Sequence, residues 1–193
     1  MATNSFLLLD AARMHGDIHR ARELNPEHTC LYEGDSERFL SAVAPWLFSL
    51  APHSPFAQWL VENGAGQSWG VVFQSDADPV KLYKHLRSFL IVEGEDGREM
   101  YFRYYDPRVL RVFLPTCEPE QLAAFFGPIA MFLAEDVNGL VVEFTLTDQG
   151  TLEVVETGKK LVSYLSGGPP GVIEERGSDE GQVARKKNWD FGY

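Results

Sequence analysis

Three times in this chain a serine or aspartate, side chains that cap helices, stands immediately before a proline: Ser54-Pro55, Asp78-Pro79 and Asp106-Pro107. A capping oxygen accepts from the first free amides of a helix, and proline at the first helical position sacrifices nothing, because its missing N–H would be unpaired there anyway. Each pair therefore starts a helix at a defined residue. With further stops at Asn25-Pro26, Ala51-Pro52, Pro115 and Gly127-Pro128, no helix can run long. The chain is cut into short segments.

Apolar runs fill the intervals. SFLLLD (5–10), HTCLYE (28–33) and SWGVVFQS (68–75) read as strands, the first of them buried, and APWLFSL (44–50) as a buried strand or a core crossing. DIHRAREL (17–24) reads as a short helix, and SERFLSAV as another with Asp35 or Ser36 at its N-cap. After Asp78-Pro79, the residues Leu82, Leu86, Phe89 and Leu90 recur at helical spacing, with Lys81, Lys84 and Arg87 largely off the stripe. Trp46 belongs to the core.

The polar turn GEDG (94–97) between FLIVE and REMYFRYY predicts a hairpin rather than a βαβ crossover, so the sheet is expected to be mixed. Within MYFRYY, strand alternation places Met100, Phe102 and Tyr104 on one face and Tyr101, Arg103 and Tyr105 on the other. Asp106-Pro107 then opens a helix through Leu114, followed by the short helix PEQLAAFF. IAMFLAE, LVVEFTLTD and TLEVVET, separated by DVNG and DQG, predict a C-terminal antiparallel meander. The fold class is α/β: a mixed β-sheet flanked by helices, ending in that meander. Residues 166–193, rich in glycine, proline and charge, read as a flexible polar tail, with WDFGY as a possible docking segment, and residues 1–165 as the folded domain.

Charge narrows the partners. The formal net charge of −11 and the absence of a basic stripe interleaved with aromatics argue against nucleic acid. No apolar run is long enough to cross a bilayer, and the N-terminus carries no basic segment or cleavage site of an export signal, so a cytoplasmic protein with no membrane partner is expected. Two cysteines, Cys30 and Cys117, allow one bridge at most and are expected as reduced core residues.

Several stretches could carry chemistry. His15 and His19 stand at i, i+4, but Gly16 separates them and no third ligand is near, so no metal is expected. GDSER (34–38) places Ser36 in a Gly-Asp-Ser turn after a strand, as in some hydrolases, yet a helix cap explains the same residues and the G-x-S-x-G elbow is missing. Cys117 with His85 is a conceivable nucleophile and base without a signature around either. GAGQSWG (64–70) has the glycines of a phosphate loop, but it precedes a strand where a dinucleotide fingerprint must follow one. No cofactor is implied.

The stretch FRYYDPRVLRVFLP (102–115) is the densest. Asp106 can accept from the first helical amides, Arg108 and Arg111 share a helix face, and Arg103 can stack on neighbouring tyrosines or pair with a carboxylate. Two readings stand: the arginines tie strand to helix by ion pairs, or they form a basic-aromatic binding surface. Catalysis finds neither nucleophile nor histidine base in the segment.

Together with LLLDAA, LYEGD, PWLFSL, SWGVVFQS, KLYKHLRSFL and AFFGPI, this stretch resembles the effector-adaptor family of bacterial type VI secretion systems, a domain long catalogued only as of unknown function. The resemblance covers roughly residues 6–129, and its most specific part pairs HLR (85–87) with FRYYDPRVL (102–110). The family pattern falls on His85, Leu86, Arg87, Phe102, Arg103, Tyr104, Asp106, Pro107, Arg108, Val109 and Leu110. The resemblance implies a non-enzymatic adaptor or chaperone, without metal or cofactor, that binds a cognate toxic effector in the cytoplasm. It would help load that effector onto the VgrG spike, in some cases through a PAAR tip. Many relatives carry a second helical lobe, whereas here a short β-rich stretch and a polar tail follow residue 129. The rival readings are an immunity protein that blocks a toxin and a small α/β hydrolase using Ser36.

Overall fold

The computed structural model describes residues 4–93 and 97–165. Most of the expected GEDG turn lies outside them, as do the polar tail at 166–193, its WDFGY end and the boundary drawn at residue 165. In chain order the elements are β1 (Asn4–Asp10), α1 (Ile18–Leu24), β2 (His28–Cys30), α2 (Asp35–Leu40), β3 (Pro45–Ser49), α3 (Pro55–Gly64), β4 (Gly70–Ser75) and α4 (Pro79–Ser88). There follow β5 (Ile91–Glu93), β6 (Glu99–Tyr101), α5 (Pro107–Phe113), α6 (Pro119–Phe126), β7 (Ile129–Glu135), β8 (Leu140–Leu146), β9 (Leu152–Lys160) and α7 (Val162–Leu165). No helix among the described residues is long and apolar enough to cross a membrane.

The fold is α/β, with helices on both faces of a seven-stranded sheet in the order β2-β3-β1-β4-β7-β8-β9, and a separate β5-β6 hairpin. β7, β8 and β9 form the expected meander. Every pairing is antiparallel, where a mixed sheet was expected. β3 and β4, joined through α3, do run parallel to each other, but β1 lies between them and pairs antiparallel with both. The crossover is present; its two strands are not neighbours.

β1 is buried on both sides, which is why it reads as an uninterrupted apolar run. Phe6 and Leu8 join one core with Leu82 and Leu86 of α4, Leu110 of α5 and Phe125 and Phe126 of α6. Leu7 and Leu9 join the other with Ile18 and Ala21 of α1, Phe56 and Leu60 of α3 and Leu165 of α7. Trp46 lies in this second core and donates Nε1–H to the Ser41 carbonyl at 2.9 Å. Gly70 lets β4 lie close to β1: a Cβ there would meet the Leu8 carbonyl oxygen at 2.1 Å.

The cap-plus-proline pairs work as expected. Ser54 accepts from the Ala57 amide, Asp78 from those of Val80 and Lys81, and Asp106 from that of Arg108. The start of α2 differs: its N-cap is Gly34 at φ 60°, and Asp35 and Glu37 lie in the first turn, where their charges oppose the helix dipole favourably. Cys30 is buried, Cys117 half-buried, and both are free.

Candidate functional site

The strand alternation expected through Tyr105 stops at Tyr101. The Phe102 amide donates to the Leu90 carbonyl at 2.9 Å, and the chain then turns, the Asp106 amide donating to the Arg103 carbonyl at 3.0 Å. Tyr104 and Tyr105 therefore both enter the core instead of taking opposite faces. Tyr104 donates its hydroxyl to the Leu86 carbonyl of α4 at 2.7 Å and packs edge-on against Phe89, Tyr105 and Phe125. This contact physically joins HLR to FRYYDPR. Phe102, half-buried, lies on Phe113 of α5 at 4.6 Å between ring centres.

Arg87, Arg103 and Arg108 each have a carboxylate. Arg103 pairs with Asp10 at the end of β1, whose side chain is fully buried and also accepts from the Ala12 amide at 3.1 Å. Burial pushes the Asp10 carboxyl up from its ordinary value, against the pull of Arg103. Arg108 grips Asp106 through Nε at 3.0 Å and Nη2 at 2.6 Å. Burial works against the charge of Asp106, but the Arg108 guanidinium and amide outweigh it and hold the carboxyl below its usual value. Pro107 is buried at the first helical position. The ion-pair reading of this stretch thus describes where Arg103 and Arg108 point.

Arg87, from the last turn of α4, reaches Glu33 at 2.8 Å and the Tyr83 hydroxyl at 3.1 Å, while Tyr83 donates to Glu33 at 3.0 Å. His85 contacts the Phe125 carbonyl through Nε2 at 2.9 Å and stands edge-on to Phe89, and burial lowers its pKa.

Above the Arg87–Glu33 pair lies a groove of about 170 Å³, lined by Leu31, Tyr32, Ser36, Leu90, Ile91 and Tyr101 among others. Its lining mixes polar and apolar side chains. No residue of α2 is buried, Phe39 being 72% exposed and Leu40 40%. Across from α2, the β5-β6 hairpin exposes Ile91 and Tyr101 at 49% and 61%. A shallower depression runs along α5, lined by Asp106, Arg108, Val109, Val112, Phe113 and Thr116.

The other candidates do not assemble into sites. His15 lies in a turn at φ 49° outside α1, so it shares no helix face with His19. No group of three or more His, Cys, Asp or Glu among the described residues could hold a metal. Ser36 is exposed on α2, and the groove's other polar lining is Glu33, Arg87 and Ser88 besides Tyr32 and Tyr101. Burial pushes the Cys117 thiol up, and its Sγ contacts the Phe113 carbonyl. The GAGQSWG loop joins α3 to β4, and both oxygens of Glu135 accept from its Gly66 amide. Sequence reasoning missed Asp10 and Glu33 as the partners of Arg103 and Arg87. A signal was there for Asp10, a lone acid closing a run of three leucines.

A family model described as a domain of unknown function (DUF4123) matches residues 5–124, well over half of the chain. That span contains β1 through most of α6, and with them every residue of the HLR and FRYYDPRVL motifs, and stops short of β7. No curated protein and no solved structure matches the chain.

Proposed function

Starting from the fact that this chain belongs to the DUF4123 family, we propose that it is a non-enzymatic adaptor for a secreted toxin. In this reading it binds its cognate effector in the cytoplasm and helps to load it onto a VgrG-type spike, directly or through a PAAR tip. The observation that carries the reading is what the motif residues build. Tyr104, Arg87 and Arg103 spend their polar groups on α4, Glu33 and Asp10, and beside the framework they brace the exposed side chains of Ile91 and Tyr101 line a groove of mixed polarity between α2 and the β5-β6 hairpin. Uncovered apolar side chains beside such a groove suit protein docking. Arg108, 53% exposed while bound to Asp106, is a second point at which the motif reaches the surface.

The test joins recovery to export. The tagged chain is expected to retain one toxin-like protein, with or without spike protein, through a moderate-salt wash. Deleting its gene should then abolish export of that toxin while the secretion apparatus itself stays active. If export is unchanged and the chain instead protects cells from the toxin's activity, it is an immunity protein and the adaptor reading fails.

A further inference from the structure

We infer that the outer edge of β9 pairs antiparallel with the same edge of a second copy of the chain, joining the two sheets into one. The inference goes beyond the adaptor reading and does not depend on it.

β9 ends the seven-stranded sheet. At the other edge β2 is only three residues long, one of the ways in which natural sheets blunt their edges, whereas β9 runs nine residues. The hairpin with β8 fixes which backbone groups of β9 face outward. The Thr147 amide donates to the Thr151 carbonyl at 2.9 Å, so that pair is hydrogen-bonded across the hairpin. Hydrogen-bonded and open pairs alternate along an antiparallel ladder. Glu153, opposite Thr145, and Val155, opposite Glu143, therefore turn their amides and carbonyls toward β8, while Leu152, Val154 and Glu156 turn theirs outward. Among the described residues no strand pairs with that outer side. Val154 and Val155, 47% and 42% exposed, put apolar surface on both faces of the strand at this point.

The edge is complementary to itself. With a two-fold axis at Val154, Leu152 of one copy meets Glu156 of the other and Val154 meets Val154, so each outward amide from 152 to 156 finds a carbonyl. Glu153 then lies opposite Val155 of the second copy rather than opposite an acid. Moving the axis to residue 153 sets Glu153 against itself. Moving it to residue 155 runs Leu152 onto Gly158, where the ladder is already broken by a bulge, with Gly158 at φ 66°. Charge agrees with the Val154 axis. Beyond the paired residues, the turn carrying Asp148 of one copy approaches Lys159 and Lys160 of the other, all three being exposed. A second copy thus supplies opposite charge at both ends of the ladder and valine at its centre.

The full chain is followed by analytical ultracentrifugation over a wide range of concentration. Its mass is expected to rise from that of one copy to that of two and no further, because a two-fold pairing uses up the edge of both. Val154→Pro removes an outward amide, and proline is tolerated on the solvent side of an edge strand. That variant should keep its circular dichroism and remain a single copy throughout. Asp148→Lys and Lys160→Glu should each weaken association on the order of tenfold, and the two combined should restore it. A chain that stays single at every concentration overturns the inference. So does a folded Val154→Pro variant that still doubles, since another surface would then hold the copies. If Val154→Pro fails to fold, the charge exchange decides, and no recovery in the double variant overturns the pairing. A chain that never doubles, yet loses a bound protein on Val154→Pro, gives the edge to a foreign strand and overturns it equally.

Discussion

The guanidinium of Arg103 rests on the carboxylate of Asp10, 93 residues earlier in the chain. Asp10 is fully buried at the end of the central strand, whereas Arg103 is 43% exposed, so the pair fastens the hairpin exit to the middle of the sheet from the solvent side. Breaking such a pair costs more than making it gains, because the buried charge is left alone.

Arg103→Met is therefore expected to destabilise the chain by about 3 kcal/mol at neutral pH, the low end for a buried pair because water reaches Arg103. The deficit has a pH signature. Burial already raises the Asp10 carboxyl above its unfolded value, and losing Arg103 raises it further. The penalty is thus full above the folded pKa and shrinks as pH falls through it toward the unfolded value of about 4. Urea midpoints at neutral and acid pH, with the Asp10→Asn/Arg103→Met double variant, check this. A deficit of the same size at both pH values would refute it.

Asp106 serves both as helix cap and as partner of Arg108. Asp106→Ala should cost about 1–2 kcal/mol, as loss of a cap does. Arg108→Ala should cost less, since the buried Asp106 carboxylate keeps its bond to the residue-108 amide and the lost guanidinium is half in water. The reverse order in thermal melts would make the ion pair, not the cap, the dominant contribution. Because the Asp106 carboxyl is held low, its contribution persists above the unfolded pKa and is lost as pH falls through the folded one.

Gly70→Ala places a methyl group 2.1 Å from the Leu8 carbonyl oxygen, and neither backbone can yield without opening β1 from β4. A loss of at least about 3 kcal/mol is expected, at the upper end of overpacking costs. Gly150→Ala is the contrast: its Cβ meets nothing, and only the positive φ of 74° is strained, for about 1 kcal/mol. Comparable melting temperatures for the two variants would count against the close approach.

Glu135, 7% exposed, is pushed up by burial, partly offset by the Gly66 amide. A carboxyl raised on folding destabilises when ionised, so stability should climb as pH falls through its folded pKa toward the unfolded value of about 4.3. Glu135→Gln keeps an acceptor for Gly66 without the charge. It should match or exceed the parent at neutral pH and flatten this part of the stability profile; an unchanged slope would show that Glu135 is not its source.

Local chemistry was legible wherever a few neighbouring residues settled the outcome. Ser54-Pro55, Asp78-Pro79 and Asp106-Pro107 begin helices where capping and proline geometry require, and DVNG and DQG turn the strands of the meander. The α/β class and the link between HLR and FRYYDPR were also written there, the second as a resemblance that Tyr104 and Leu86 turn into a hydrogen bond. What stayed hidden depended on who lies beside whom. Inserting β1 between β3 and β4 converts an apparent parallel crossover into antiparallel pairs, and nothing within either strand records its neighbour. Alternation failed at Phe102 because a distant carboxylate, Asp10, and the core under α4 draw the chain out of its strand. The groove is legible least of all, since Phe39 and Tyr101 each look like core residues until packing leaves them outside. Propensity and capping act over a turn of chain and are encoded locally; burial and ion pairing are decided between segments, and only the folded molecule brings those segments together.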